Sequence, residues 1–257
     1  MKSENKQKFS LTGLFMVIGA LALFVSVLTP AISRAKLMAE QRMVGVQGKD
    51  IFIAIVDANT RGEPFLGSIS VWPKTQIDRE NRPNFIDRQD ISEMTFSNST
   101  RYFYALLGGE NIGVPFIWAP YVTGINYSHL AGAGVSKMVG TGELKPENNM
   151  WSIAANIPDD MDDGIPVLVT RNVDCSSFRI KTPNNPDTPL RWSQQYTTPF
   201  GNKCFVIVRR GGAVFYGTAK LAATGAVYPV GDDFPSAGNT NLTSLVYLTP
   251  DGIAYPQ

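Results

Sequence analysis

The 257-residue chain carries 23 Lys and Arg against 22 Asp and Glu, a formal net charge of +1 with the two signs mixed throughout. That balance excludes nucleic acid as a partner, because neutralising phosphates needs clustered Lys and Arg. The single histidine, His129, excludes a histidine-rich metal site.

The chain opens on the basic leader MKSENKQK, residues 1–8, and passes into FSLTGLFMVIGALALFVSVLTPAI, an apolar run over residues 9–32 with no charge in it. At about 1.5 Å per residue, a helix of that run reaches across the ~30 Å hydrocarbon layer of a bilayer. A secretory signal peptide has an apolar middle of only about 7 to 15 residues. Ala31-Ile32-Ser33 would serve as a cleavage site, but the run is too long for that reading, whereas a single-span anchor fits its length. Lys2, Lys6 and Lys8 stand before the span and Arg34, Lys36 and Arg42 after it, so the positive-inside count is nearly a tie.

Lys8 directly before Phe9, the sequence Phe9-Ser10-Leu11-Thr12, and Pro30 twenty-one residues after Phe9 make a finer pattern. It resembles the N-terminus of type IV pilins and type II secretion pseudopilins. The resemblance implies a leader cut by a prepilin peptidase between Lys8 and Phe9, N-methylation of Phe9, and a helix kinked at Pro30, where a backbone hydrogen bond is lost. It implies an inner-membrane, single-pass protein with its C-terminal domain in the periplasm or at the cell surface, meeting other pilin-like subunits through a helix that includes Phe9, Leu11, Gly13 and Pro30. Two positions depart from the family: Lys8 replaces a glycine, and Gly13 replaces a glutamate that pairs with a neighbouring subunit's terminal amine. A carboxylate in lipid costs several kcal/mol unless paired, so Gly13 removes both the cost and the contact. The capping subunit of type II pseudopili also lacks this glutamate, which points to a minor-subunit role.

Beyond Pro30, Leu37, Val44, Ile51 and Ala58 recur every seven residues with Ile55 on an adjoining face, predicting an amphipathic helix over residues 34–60. Gly45 and Gly48 each cost such a helix ~1 kcal/mol relative to alanine, or else permit close packing. Asn59-Thr60-Arg61-Gly62 and Pro64 signal its end. The remainder, residues 61–257, reads as a globular domain of short β-prone runs separated by Pro and Gly. The fold class is therefore α+β: a long N-terminal helix, membrane-spanning in its first half over residues 9–33, packed on a mainly antiparallel C-terminal domain, as in pilins.

Within that domain a helix is predicted over residues 86–107 and strands over 69–71, 116–118 and 166–170. Two hairpins are predicted. One joins residues 205–209 and 213–218 through Arg210-Gly211-Gly212, and the other joins 245–248 and 253–255 through Thr249-Pro250-Asp251-Gly252. The segments DDGIPVLVTRN, PFGNKCFVIVRRGGAVFYGTAK and LVYLTPDG resemble the C-terminal strands of pilin-like proteins abundant in Planctomycetes, Verrucomicrobia and Lentisphaerae.

Cys175 and Cys204 allow one disulfide in an oxidising compartment, or two buried thiols. The acidic cluster Asp159, Asp160, Asp162, Asp163 departs from the EF-hand spacing, since position twelve counted from Asp160 is Arg171. Asp162 and Asp163 remain candidates for a different calcium cage, against a solvated turn as the plainer reading. Asp232 and Asp233 carry the same two readings. Tyr102, Phe103 and Tyr104, with Phe116, Trp118 and Tyr121, fit core packing better than a carbohydrate-stacking surface. Asn98, Asn126 and Asn241 begin N-glycosylation-type triplets, which the pilin resemblance implies are incidental. No residue set builds a catalytic site, so the expectation is a non-enzymatic subunit without cofactor. The alternative is a permanently anchored binding domain, for glycans for example.

Overall fold

The computed structural model describes residues 11–66, 72–75, 96–106, 144–157, 163–178, 189–224 and 246–255. Helix α1, Leu11–Leu66, is a single helix of 56 residues. The chain divides into two compact units, Met1–Glu40 and Gln41–Gln257, so the boundary falls inside this helix. In the first unit nearly every described side chain is exposed; in the second, α1 buries one side: Gln41, Val44, Gly45, Gly48, Ile51, Ala54 and Ile55. These positions recur three or four residues apart, the spacing of one helical face. Of the seven-residue pattern read from the sequence, Val44 and Ile51 lie in this buried seam, fully covered together with Ile55, while Leu37 is half-buried.

The helix outlasts its predicted end. It continues past Gly62 and Pro64 to Leu66, because a proline this close to the terminus removes only the bond to the Thr60 carbonyl and leaves the earlier turns intact.

Among the described residues, six strands form one sheet: β1 Trp151–Ala155, β2 Pro166–Thr170, β3 Cys204–Arg209, β4 Val214–Thr218, β5 Val246–Leu248 and β6 Ile253–Ala254, in the order β4-β3-β2-β1-β5-β6. Every neighbouring pair is antiparallel. The first four strands run as a meander, and the chain then returns to place the β5–β6 hairpin on the free side of β1. Both predicted hairpins are present. Gly212 takes φ +78° in the first, where a side chain would be strained. In the second, the Thr249 amide donates to the Gly252 carbonyl at 2.8 Å.

Of the predicted helix over residues 86–107, the described part begins only at Ser99, as α2, Ser99–Leu106. Residues 96–98 are not helical. Asn98 sets the start by accepting from the Arg101 amide through Oδ1 at 2.8 Å, an N-cap contact. The predicted strands at 69–71 and 116–118 lie outside the described residues. Strand β1 and the short helix α3, Ala219–Thr224, were not anticipated.

Strand alternation assigns the two sheet faces. Ala154, Val169, Phe205, Ile207 and Tyr247 point into a core shared with Val173, Cys175, Phe178, Leu190 and Ala222. The alternate positions Trp151, Ile153, Leu168, Val206 and Val208 are fully buried on the opposite face. That second face receives α1. A Cβ on Gly48 would lie 2.6 Å from Trp151 and 2.8 Å from Val208, and one on Gly45 would lie 2.4 Å from the Tyr216 ring. Both glycines therefore act by letting the helix backbone approach the sheet, which outweighs their helix-propensity cost.

Two buried polar groups tie the ends of the sheet. The Asn149 amide Nδ2 donates to Ser99 Oγ at 2.8 Å and Thr100 Oγ1 at 3.0 Å, while these hydroxyls donate to the Trp151 and Pro250 carbonyls at 2.7 and 2.6 Å. Arg171, 5 % exposed, donates from Nη1 to the carbonyls of Pro146, Glu147 and Asn149 and from Nε to that of Thr198, and it also meets the Thr198 hydroxyl. Its guanidinium lies 4.8 Å from the centre of the Tyr196 ring.

Candidate functional site

The functional candidate is α1, and its two parts are chemically unlike. From Leu11 to Ile32 the large apolar side chains face outward without cover: Leu11 is 71 % exposed, and Phe15, Met16, Leu23, Phe24, Val25 and Val27 are each more than three-fifths exposed. The segment is long and apolar enough to cross a membrane, and none of its most apolar window is buried inside the protein. In a lipid core each backbone and hydroxyl group needs an internal partner. A helix supplies this for its backbone. The hydroxyls donate back to the same helix: Ser26 Oγ to the Leu23 carbonyl at 2.8 Å, Thr29 Oγ1 to Val25 at 2.7 Å, and Ser33 Oγ to Thr29 at 2.9 Å. α1 passes through Pro30 as one helix, and Gly13 lies exposed within its first turn. The first ion pair of the helix, Lys36 with Glu40 at 3.8 Å, appears only after the apolar run has ended.

The second part is anchored where burial begins. Gln41, 8 % exposed, donates from Nε2 to the carbonyls of Phe205 and Gly217 at 2.9 and 2.8 Å. These two residues face each other across the β3–β4 pair. Gln41 was not singled out from the sequence; the available signal was a polar residue spaced among the buried positions of the seam, four after Leu37 and three before Val44.

The remaining predicted residues are dispersed. Lys8, Phe9, His129 and Asp162 lie outside the described residues, as do Asp159, Asp160, Asp232 and Asp233. Asp163 is exposed, and its main-chain carbonyl accepts from the Gly211 amide at 2.9 Å, which places it against the β3–β4 turn. Among the described residues, no group of three or more His, Cys, Asp or Glu side chains is arranged to hold a metal ion.

Cys175 and Cys204 are both buried and no disulfide joins them. The geometry gives the reason: Cys175 belongs to the core that contains Phe205 and Ile207, whereas Cys204, adjacent to Phe205 in β3, alternates to the helix-covered face. Burial, with a smaller contribution from Asp174, pushes the Cys175 thiol up to about 12, so it remains protonated and unreactive near neutral pH.

The aromatic cluster at α2 is internal as well. Tyr102 and Phe103 are 1 % and 0 % exposed, and Tyr102 packs edge-on to Phe96 with ring centres 5.2 Å apart. Burial raises the Tyr102 phenol far above its usual range. Neither ring is available to stack on a sugar, and Phe116, Trp118 and Tyr121 lie outside the described residues.

No family model, no curated protein and no solved structure matches this chain.

Proposed function

We propose that this chain is a non-enzymatic, pilin-like or pseudopilin-like subunit. It is held in the inner membrane by the apolar first part of α1, with the sheet domain exported to the periplasm or cell surface. After removal of the leader before Phe9 it joins a type II secretion pseudopilus or a type IV pilus-like filament as a minor subunit. The observation that carries this reading is the division of one continuous helix: an uncovered apolar part, Leu11 to Ile32, followed by a part seated on an antiparallel sheet through Gln41, Val44, Gly48, Ile51 and Ile55. A helix that served only as an anchor would have no need of a second part seated in its domain from Gln41 onward. Gly13, where the related filaments have a glutamate, supports the minor role, since the chain carries no carboxylate at that depth.

N-terminal mass spectrometry of protein extracted from membranes of the native cell tests the reading. A chain that begins at N-methylated Phe9 is expected. An intact Met1, or a start after Ser33, would overturn the processing step and with it the pilin-like assignment.

A further inference from the structure

The chain enters its second unit at Gln41, and the bonds from that side chain to the Phe205 and Gly217 carbonyls fix the corner of the sheet at which it arrives. This corner is the start of β3 and the end of β4. The next bond outward along the pair runs from the Ala219 amide to the Lys203 carbonyl at 2.9 Å, which sets Lys203 beside Lys220 at the rim of the sheet. Arg42 follows Gln41 on α1, and Arg191 follows Leu190, whose amide donates to the Ala222 carbonyl of α3 at 2.9 Å. All four basic residues are exposed. Asp174, whose amide donates to the Arg191 carbonyl at 2.9 Å, brings one carboxylate to the corner, and its Oδ1 accepts from the Ser176 amide and hydroxyl at 3.0 and 2.7 Å. Glu40, the last residue of the first unit, is paired with Lys36. Farther along the same end of the sheet, Arg101 and Lys145 are offset by Asp251 and Glu147, so the positive excess sits at the β3–β4 corner.

We propose that this corner is a docking surface for the anionic headgroups of the bilayer in which the first unit is anchored. The inference rests on the membrane-spanning part of the reading above and does not depend on assembly. Residues 33–40 join the apolar run to Gln41, and eight residues reach at most about 29 Å even when fully extended. The tether therefore keeps the corner close to the lipid surface, and charges too weak to capture a membrane from free solution act at high effective concentration. The attraction of Lys and Arg to an anionic leaflet fades over about 8 Å at physiological ionic strength, so only a surface held this near gains from it. Lys203 and Lys220 suit such a partner. Each ammonium is a point charge on a long flexible stem that can follow a separate, laterally mobile phosphate, whereas a single fixed phosphate is better gripped by the planar fork of an arginine. Docked in this way, the sheet domain holds the start of β3 toward the lipid and the β3–β4 turn away from it.

Fluorescence quenching of the full-length chain in vesicles tests this, because Cys175 and Cys204 are buried and leave a quiet background for thiol labelling. The vesicles are phosphatidylcholine alone or phosphatidylcholine mixed with phosphatidylglycerol, each with a trace of lipid bearing a nitroxide on its headgroup. One chain carries the fluorophore at Asn202→Cys, beside Lys203, and another at exposed Ala213→Cys, at the opposite end of β3 and β4. A Val25→Cys chain, read with an acyl-chain nitroxide, reports the span. Quenching at Asn202→Cys should be roughly twofold stronger with phosphatidylglycerol and should weaken as salt is raised, while Ala213→Cys shows no such difference. Lys203→Glu combined with Lys220→Glu should return the Asn202→Cys signal to its value in phosphatidylcholine, and the paired exchange to arginine should preserve it. Inorganic phosphate at constant ionic strength should leave it unchanged. Equal quenching in the two lipids, full quenching in the glutamate variant, or an equal gain at Ala213→Cys would overturn the inference. Its loss to inorganic phosphate would do the same, by showing a soluble anion as the ligand. Quenching of Val25→Cys without the lipid-dependent gain at Asn202→Cys overturns the docking and leaves the span standing. An unquenched Val25→Cys overturns both.

Discussion

Two parts of one helix follow opposite packing rules. From Leu11 to Ile32, α1 is apolar and exposed on all sides; from Gln41 onward it is apolar on the side that meets the sheet and mixed on the other. The difference teaches what a glycine does in each setting. At Gly19 a Cβ would meet nothing within 4 Å, whereas at Gly48 it would strike Trp151 and Val208. The same residue type is dispensable space in one part and a steric requirement in the other.

The comparison can be broken first by charge. Leu21→Arg should cost membrane insertion about 3 kcal/mol, read as a shift of the protein from the membrane to the soluble fraction, while an arginine at exposed Val46 should leave insertion unchanged. Steric substitutions come next. Gly48→Val should destabilise the sheet domain by about 2 to 3 kcal/mol in thermal or denaturant unfolding. Gly19→Ala should leave that unfolding unchanged, since nothing lies beside it.

A pH series sharpens the account of the buried thiols. Folded Cys175 keeps its proton up to about pH 12, whereas an unfolded chain releases it near 9. Between those values the native state binds more protons, so stability falls as pH rises through the window, at up to about 1.4 kcal/mol per pH unit from this group. Cys175→Ala should flatten the slope that begins near pH 9, leaving a later decline from Tyr102, whose phenol is also raised. The smallest effect is expected at the junction. Gln41→Ala removes the donor shared by two sheet carbonyls and should cost about 1 kcal/mol.

Much of this arrangement is written in local pattern. The uncharged run before Arg34, the recurrence of Val44 and Ile51, and the glycine turns at Gly212 and Gly252 each act over a few residues, so the span, the seam and both hairpins are legible from sequence. Strand β1 was not, because Trp-Ser-Ile-Ala-Ala is short and ends in two strong helix formers; its neighbours on both sides, β2 and β5, impose the extended form. The start of α2 was misplaced for a related reason. Ile91, Met94 and Phe96 continue an apolar pattern, but the Asn98 cap decides where the helix begins. The relation between Cys175 and Cys204 depends on which sheet face each takes, and that depends on the register of β3 across the whole domain. Gln41 reads as an ordinary polar helix residue until the two carbonyls above it are in place.

The central claim is that α1 meets lipid along its first part and protein along its second. Full-length chain reconstituted in vesicles containing a lipid with a photoactivatable diazirine on its acyl chain tests it most directly, with adducts mapped by peptide mass spectrometry. The account predicts adducts within residues 11–32 and none on the buried positions Val44, Ile51 and Ile55. Adducts spread equally over residues 11–32 and those three positions, or an unlabelled apolar run, would contradict it.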